Sequence, residues 1–458
     1  MTILSLDVRL DGFTQPVGTL ARGTEGELSF TYSTDHLNHS RLLPLSLSFP
    51  LTDVPFGDVR TRAFFSNLLQ ERDQPLQRIM DQHGIPASDV AGLLYHIGGD
   101  CAGSVSVLPQ GAPPTKSPGN LATDYVPQSN EEVSEIVKAL HLRKALPKEL
   151  QDPSPLAGVQ SKISLMYLRD SETFAIPKKD SGAPTSHVLK VPDRDHPNDP
   201  DHENFALEMS RNCGIPVVGS CVREFDGIKA LITGRFDRVH YKQTGMISRI
   251  HQEDFAQALG LPPSLKYERH GRERRRFDAG AIRTVLDQTH APAYSRRIFL
   301  DLTIFDLLVG NCDGHAKNHA LLYSGFFQHS RGVHPELAPR YDIIPTRLDP
   351  QLTDEFSYRI GSANQMADVN LDNLQSFMAA LGIEGRPAQK RVLESALRRV
   401  VRHLEQNLEF LASRNQKRFA DLIAANMREL LPKLNFPVPR LAENRDAFIG
   451  RGGGWLQS

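Results

Sequence analysis

Asn311-Cys312-Asp313-Gly314-His315-Ala316-Lys317-Asn318 is a mostly polar run set between two apolar stretches. Before it, Leu300, Ile304, Leu307 and Leu308 keep helical spacing; after it, Ala320-Leu321-Leu322-Tyr323 reads as a strand. A polar cluster between buried elements is where a scaffold displays reactive groups. Asp313 and Asn318 have the D-x4-N spacing of a kinase catalytic loop, in which the aspartate accepts a substrate hydroxyl proton and the asparagine holds magnesium. A hard cation bound through oxygen wants a second carboxylate beside phosphate oxygens. Asp342, at the start of the loop Tyr341-Asp342-Ile343-Ile344-Pro345-Thr346, is the candidate. His315 is expected to brace the loop and Cys312 to be a small buried filler.

Spacing alone recurs by chance, so the order of parts upstream matters. Ala157-Gly158-Val159-Gln160-Ser161-Lys162 is a small-residue turn whose backbone N–H groups can cradle phosphates. Lys190 stands near the end of the strand His187–Val191, where an ammonium can pair with phosphates; the bland alternative is an exposed strand-end lysine. Glu203 opens the next helix and can orient that lysine, or simply favour the helix N-terminus. Arg235-Phe236-Asp237-Arg238 follows a strand, as a hinge offering backbone groups to adenine and a carboxylate to ribose. Loop, lysine, helix glutamate, hinge, catalytic aspartate and metal aspartate is the kinase order.

The chain has 458 residues, a prior of roughly three compact units. With 40% hydrophobic and 23% charged residues it can bury a sizeable core, which excludes whole-chain disorder. A formal charge of -1 supplies no global basic field for nucleic acid. No apolar run approaches the roughly 18 residues of a spanning helix, so no membrane role is expected. Met1–Asp7 reads as strand, not signal peptide. Cys101, Cys213, Cys221 and Cys312 form no CxxC pair, which points to a reducing cytoplasm. The run Arg272-Glu273-Arg274-Arg275-Arg276 reads as a solvated charged loop.

Four segments are expected. Residues 1–110 form a β-rich subdomain, with strands at Leu4–Leu10, Glu27–Tyr32 and Ser104–Leu108 and a helix over Arg62–Gln70. Residues 111–153 are linker and connecting helix, the Pro- and Gly-rich part running from Pro109 to Pro127. Residues 154–238 are a nucleotide-binding lobe with strands at Ile163–Tyr167, His187–Val191 and Ala230–Thr233 and a helix from His202 to Cys213. Residues 239–458 are mostly helical, including one long stretch from Gln389 to Leu431.

These residues resemble the HipA family of Ser/Thr protein kinase toxins from bacterial toxin–antitoxin pairs. The resemblance spans nearly the whole chain. It is carried by PLSLSFPL at 44–51, FFSNLL at 64–69, IGGD at 97–100, AGVQSK at 157–162, RFDR at 235–238, QEDFAQALGLP at 252–262, KYE at 266–268, DGHAKN at 313–318 and YDIIPT at 341–346. It implies an α+β, two-lobed protein-kinase-like fold, an N-terminal β-rich subdomain and a mostly helical C-terminal lobe. By matching position it implies Asp313 as catalytic base and Asn318 and Asp342 on Mg²⁺. ATP contacts would come from the loop 157–162, Lys190, Glu203, Arg235 to Asp237, His315 and Lys317. It further implies a helix-turn-helix antitoxin of the HipB type as partner, with DNA reached only through it. The implied substrate is a translation component such as an aminoacyl-tRNA synthetase. A catalytically silent kinase-fold binding module and a small-molecule phosphotransferase are the rival readings; a silent site needs no such set of four residues as Lys190, Asp313, Asn318 and Asp342, and a small-molecule enzyme leaves the N-terminal unit unexplained. One departure stands out. The family's loop usually carries an autophosphorylated serine three residues before the glycine, and here that position is Pro155. Any autophosphorylation is therefore expected on Ser154 or Ser161.

Overall fold

A computed structural model describes residues 3–69, 74–144, 146, 161–324 and 334–441. The N-terminal unit is an antiparallel sheet in the spatial order Leu28–Tyr32, Gly18–Arg22, Leu4–Leu10, Val105–Pro109. Leu6 pairs with Leu20 and Val8 with Val107, so alternate apolar side chains share one face. Phe30, Phe49, Phe56, Phe64 and Phe65 pack into one core with them. The helix expected over Arg62–Gln70 instead runs Asp58–Ser66. Asp58 draws the start back, because its carboxylate accepts from the Leu28 N–H (2.8 Å) and from Arg62 (2.7 Å). Leu68 and Leu69 are buried beyond the helix, in the turn that follows.

The stretch expected as a linker carries two strands. Gly119–Asn120 pairs with Met246–Arg249, and Tyr125–Gln128 pairs with Thr173–Pro177. Pro127 is tolerated because its strand is the sheet edge, where a missing N–H breaks no ladder. The helix Asn130–His141 follows, started by a reciprocal cap between Ser129 and Glu132. It lays Val133, Ile136 and Val137 on Ile163, Leu165, Leu189, Val191 and Ile232.

Those residues belong to an antiparallel sheet of six strands. Its order is Ser220–Phe225, Ile228–Gly234, His187–Val191, Ser161–Leu168, Thr173–Pro177, Tyr125–Gln128. The helix expected from His202 begins earlier and runs Asp199–Asn212, with proline in its first turn. Beyond it the chain is largely helical around one apolar core. Pro292–Val309 is the central helix, and Arg386–Ser413 and Lys417–Lys433 pack on it. The single stretch expected from Gln389 to Leu431 is thus two helices. They part at Arg414–Gln416, where Asn415 takes a left-handed φ of 62°. Among the described residues no helix is long and apolar enough to cross a membrane.

Candidate active site

The central helix ends in a deliberate bend. Gly310 has φ 79°, and both Gly310 N–H and Asn311 N–H donate to the Asp306 carbonyl (2.9 Å each). A Cβ at Gly310 would stand 2.9 Å from the Leu422 side chain, so glycine is needed for space as well as for φ. The bend launches residues 311–318 across the floor of a cleft of about 330 Å³. The loop folds on itself: Asn318 Nδ2 donates to the Asp313 carbonyl (2.8 Å), and the Asp313 N–H donates to Asn311 Oδ1 (3.0 Å). Asp313 and Asn318, read as a pair from spacing, are thus physically coupled. Tyr267 Oη donates to Asp313 Oδ1 (2.7 Å). Burial raises the Asp313 carboxyl above its ordinary value and Asp342 adds to this, while Tyr267 and Lys266 oppose it. Burial pushes His315 down to about 3, so it is a neutral imidazole, and its ring stands edge-on to Tyr267 (5.2 Å).

Across the cleft, Lys190 Nζ lies 2.7 Å from Glu203 Oε1 and 2.5 Å from Asp342 Oδ1. This excludes the exposed-lysine reading, and Glu203, only 2% exposed, is no surface helix acid. Two carboxylates share one ammonium, and their acidities are driven apart. Burial raises Glu203 to about 7. Burial also opposes ionisation of Asp342, but Lys190 and Lys162 outweigh it and hold that carboxyl well below the usual range. Lys162 sits directly opposite Lys190 on the neighbouring strand, and both line the cleft. Asp342 has φ 58°, a conformation that costs a non-glycine residue about 1–3 kcal/mol and is characteristic of functional sites.

Several expected contacts are differently disposed. Ala157, Gly158, Val159 and Gln160, with Ser154 and Pro155, lie outside the described residues. Ser161 opens the strand Ser161–Leu168 and pairs with Val191. Arg235, Phe236 and Asp237 line the cleft, but Asp237 is 5% exposed and heavily engaged. It accepts from Arg235 (3.0 and 2.9 Å) and from the Gly103 N–H (2.8 Å), and it pairs with Arg238 (2.9 Å). A carboxylate offers about four lone-pair sites. Asp237 therefore braces the hinge, with three of these contacts on Oδ2 and one on Oδ1. Lys317 likewise spends its three protons on Asn67 O (3.1 Å), Asn67 Oδ1 (3.0 Å) and Asp254 Oδ2 (2.9 Å). It ties the catalytic loop to the N-terminal unit and has no proton left for a phosphate.

Tyr267, Asn67 and Arg340 were not assigned roles from sequence. Arg340 is 4% exposed, donates to the Asn318 carbonyl and lies 3.6 Å from Asp306. Burial raises Asp306 to about 6 against the pull of that arginine. Tyr341 stacks on Phe236 (5.3 Å) and donates to the Lys317 carbonyl (2.8 Å). The only hint was position: Asn67 and Tyr267 lie inside the quoted motifs FFSNLL and KYE, and Arg340 directly precedes YDIIPT.

With this geometry in place, the comparisons with known proteins are specific. A family model described as "HipA-like C-terminal domain" matches residues 154–408, and "HipA N-terminal domain" matches 6–108. The first spans more than half of the chain. The chain belongs to the HipA family. Among HipA relatives, "Putative kinase Y4mE" of Sinorhizobium fredii is 33% identical over 433 residues, covering 93% of this chain and 99% of that protein. "Serine/threonine-protein kinase toxin HipA" of Shewanella oneidensis is 26% identical over 398 residues, covering 83% of this chain and 85% of that one. A solved HipA chain from the Shewanella oneidensis MR-1 complex of HipA, HipB and operator DNA superposes with TM-score 0.73 at 23% identity. It covers 92% of this chain and 97% of that one, and establishes the two-lobed α+β kinase-like fold.

HipA kinases imply a nucleotide and a divalent cation, and the residues present fit both. Among the described residues no group of three His, Cys, Asp or Glu side chains converges as a metal cage. Asn318 and Asp342 would instead hold an ion whose remaining ligands are phosphate and water oxygens, as magnesium prefers. His315 Nδ1, buried in the cleft wall, has no hydrogen-bond partner among the described residues. Apolar Val188, Val218, Phe236 and Ile344 line the same cleft as the lysines.

Proposed function

We propose that this chain is an ATP- and Mg²⁺-dependent Ser/Thr protein kinase toxin. The observation that carries the reading is the cleft itself. The coupled pair Asp313 and Asn318 lines one cavity with the ion pair Lys190–Asp342, and buried Glu203 holds Lys190 from behind the wall. Asp313 accepts the proton of the incoming hydroxyl as that oxygen bonds the γ-phosphorus and the bond to the ADP oxygen breaks. Tyr267 holds the carboxylate in place for this, and Arg340 and Asn318 hold its loop. Lys190 and Lys162 supply positive charge to the phosphates. A bound magnesium would neutralise charge on the transferred group.

The biological setting follows the resemblance. The substrate would be a translation component such as an aminoacyl-tRNA synthetase, phosphorylated in the cytoplasm. A HipB-type antitoxin would be the partner, and the solved complex containing HipB and operator DNA supports that pairing. The test is transfer of the γ-phosphate of ATP to proteins of a cell extract. Asp313→Asn should remove transfer without altering the melting temperature. Retained transfer by the purified variant would sink the assignment.

A further inference from the structure

The basic run 272–276 takes no part in the chemistry above, yet it shares a loop with the tyrosine that holds the catalytic carboxylate. Between residues 266 and 276 there are six Lys and Arg against two Glu, in a chain whose net charge is -1. The loop is pinned to the catalytic loop where it begins. Tyr267 donates to Asp313 (2.7 Å), and the Lys266 carbonyl accepts from the Ala316 N–H (3.0 Å). The Glu268 N–H donates to the Ser357 carbonyl (2.8 Å), and the Ser357 hydroxyl donates to the Cys312 carbonyl (2.9 Å).

Further on, the backbone closes a tight turn. The Arg275 N–H donates to the Arg272 carbonyl (3.0 Å), and Glu273 has φ 50°. Gly271 packs so closely here that a Cβ would lie 2.3 Å from the Arg276 Cβ. The arginines on the turn are exposed. Two cations of the loop have local partners: Arg269 lies 3.8 Å from Glu355 and Arg276 lies 2.5 Å from Asp278. Arg272, Arg274 and Arg275 pair with no carboxylate among the described residues. Three guanidiniums are thus displayed, unneutralised, on a preformed turn that begins five residues along the chain from the tyrosine bonded to Asp313. Such forks match carboxylates in bidentate geometry.

We propose that this turn docks an acidic segment of the protein substrate next to the phosphorylated Ser or Thr; the proposal rests on the protein-kinase reading above. The reach agrees with it. Arg272 follows Tyr267 by five residues, at most about 17 Å of chain, a span that an extended substrate covers in about five residues of its own. Nucleic acid fits the surface less well, because no exposed Phe, Tyr or Trp stands among the arginines to stack on bases, and His270 is the one exposed ring there. Phe277 is fully buried, and the Tyr267 ring is covered by the Arg269 guanidinium at 4.1 Å.

The experiment compares two Ser-containing peptides, one flanked by Asp and Glu on both sides and one by Ala. The probes are the full chain, the combined variant Arg272→Glu, Arg274→Glu, Arg275→Glu, and the corresponding triple Gln variant. The wild type should prefer the acidic peptide in kcat/KM by roughly tenfold at low salt, less at high salt. The Gln variant should lose that preference and the Glu variant reverse it, both with unchanged transfer to the Ala peptide. Equal transfer to both peptides, or a preference that survives the triple Glu change, overturns the docking proposal and leaves the kinase reading standing. No transfer to either peptide by the wild type overturns both. A short RNA that binds through these arginines, with peptide preference unaffected by the variants, assigns the turn to nucleic acid and overturns the proposal.

Discussion

Lys190 neutralises the buried Glu203 and the half-buried Asp342 at once, and that gives its substitution two separable consequences. Lys190→Ala removes a phosphate counter-charge, so nucleotide affinity measured by calorimetry should fall. It also leaves Glu203 and Asp342 without their cation. Breaking a buried pair from one side costs about 3–5 kcal/mol, so the variant should melt well below the wild type. Adding Glu203→Gln removes one of the stranded charges. The double variant should recover much of the melting temperature and none of the nucleotide affinity. If the single change leaves both readouts alone, Lys190 has no part in the site. The same arithmetic explains why Lys162 can stand opposite Lys190 across two strands, where like charges ordinarily repel. The two carboxylates beneath them supply the compensation.

At the scale of elements, the bend after the central helix is the most exposed to failure. Gly310→Ala forces a left-handed alanine against Leu422, and about 1–3 kcal/mol of stability should be lost. Urea unfolding should show this loss, with phosphotransfer falling alongside because residues 311–318 leave the helix from this point. An unchanged midpoint would mean that the bend relaxes without strain. Such elements were unequally legible in the sequence. The strands Leu4–Leu10 and His187–Val191 could be read from alternation and β-branching, and their bounds agree with the structure. The edge strand Tyr125–Gln128 could not, because its proline and polar neighbours signal a loop and its pairing partner lies far along the chain. Asp313, Asn318, Lys190 and Glu203 were legible because a motif states the type and order of its residues. Tyr267 and Asn67 were not, since each acts through a contact made only when distant segments meet.

The whole molecule is held at such meetings. Arg249, 2% exposed, binds Asp11 (2.6 Å) and Asp100 (3.0 Å) of the N-terminal unit, and Asp100 in turn takes Lys116 (2.7 Å). Glu253 lies wholly buried between the units and accepts from the Ser46 hydroxyl (2.5 Å), the Leu47 N–H (2.9 Å) and the Tyr323 hydroxyl (2.6 Å). Burial raises its carboxyl from 4.5 to about 7, against those three donors. A carboxyl raised in the folded state keeps its proton where the unfolded chain has already lost it. Its contribution to stability is therefore fully present below the unfolded value and is lost as pH rises through about 7. The loss amounts to up to about 3 kcal/mol. Glu253→Gln has no proton to lose, so its unfolding midpoint should vary less between about pH 5 and 8 than that of the wild type. Parallel profiles for the two proteins would show that Glu253 does not titrate in this range.

Tyr323 closes the core of the N-terminal unit, although the last strand of that unit's own sheet ends at Pro109. During synthesis the sheet is therefore complete long before its plug leaves the ribosome. At about 5–20 residues per second the wait is roughly 10–40 s. Throughout that interval a nascent chain presents an open apolar socket and Asn67 acceptors still awaiting Lys317. A ribosome that stalls or drops off before residue 323 releases a fragment that cannot seal itself, and such a fragment is a substrate for chaperones and proteases. The kinase is thereby completed only by ribosomes that finish the job.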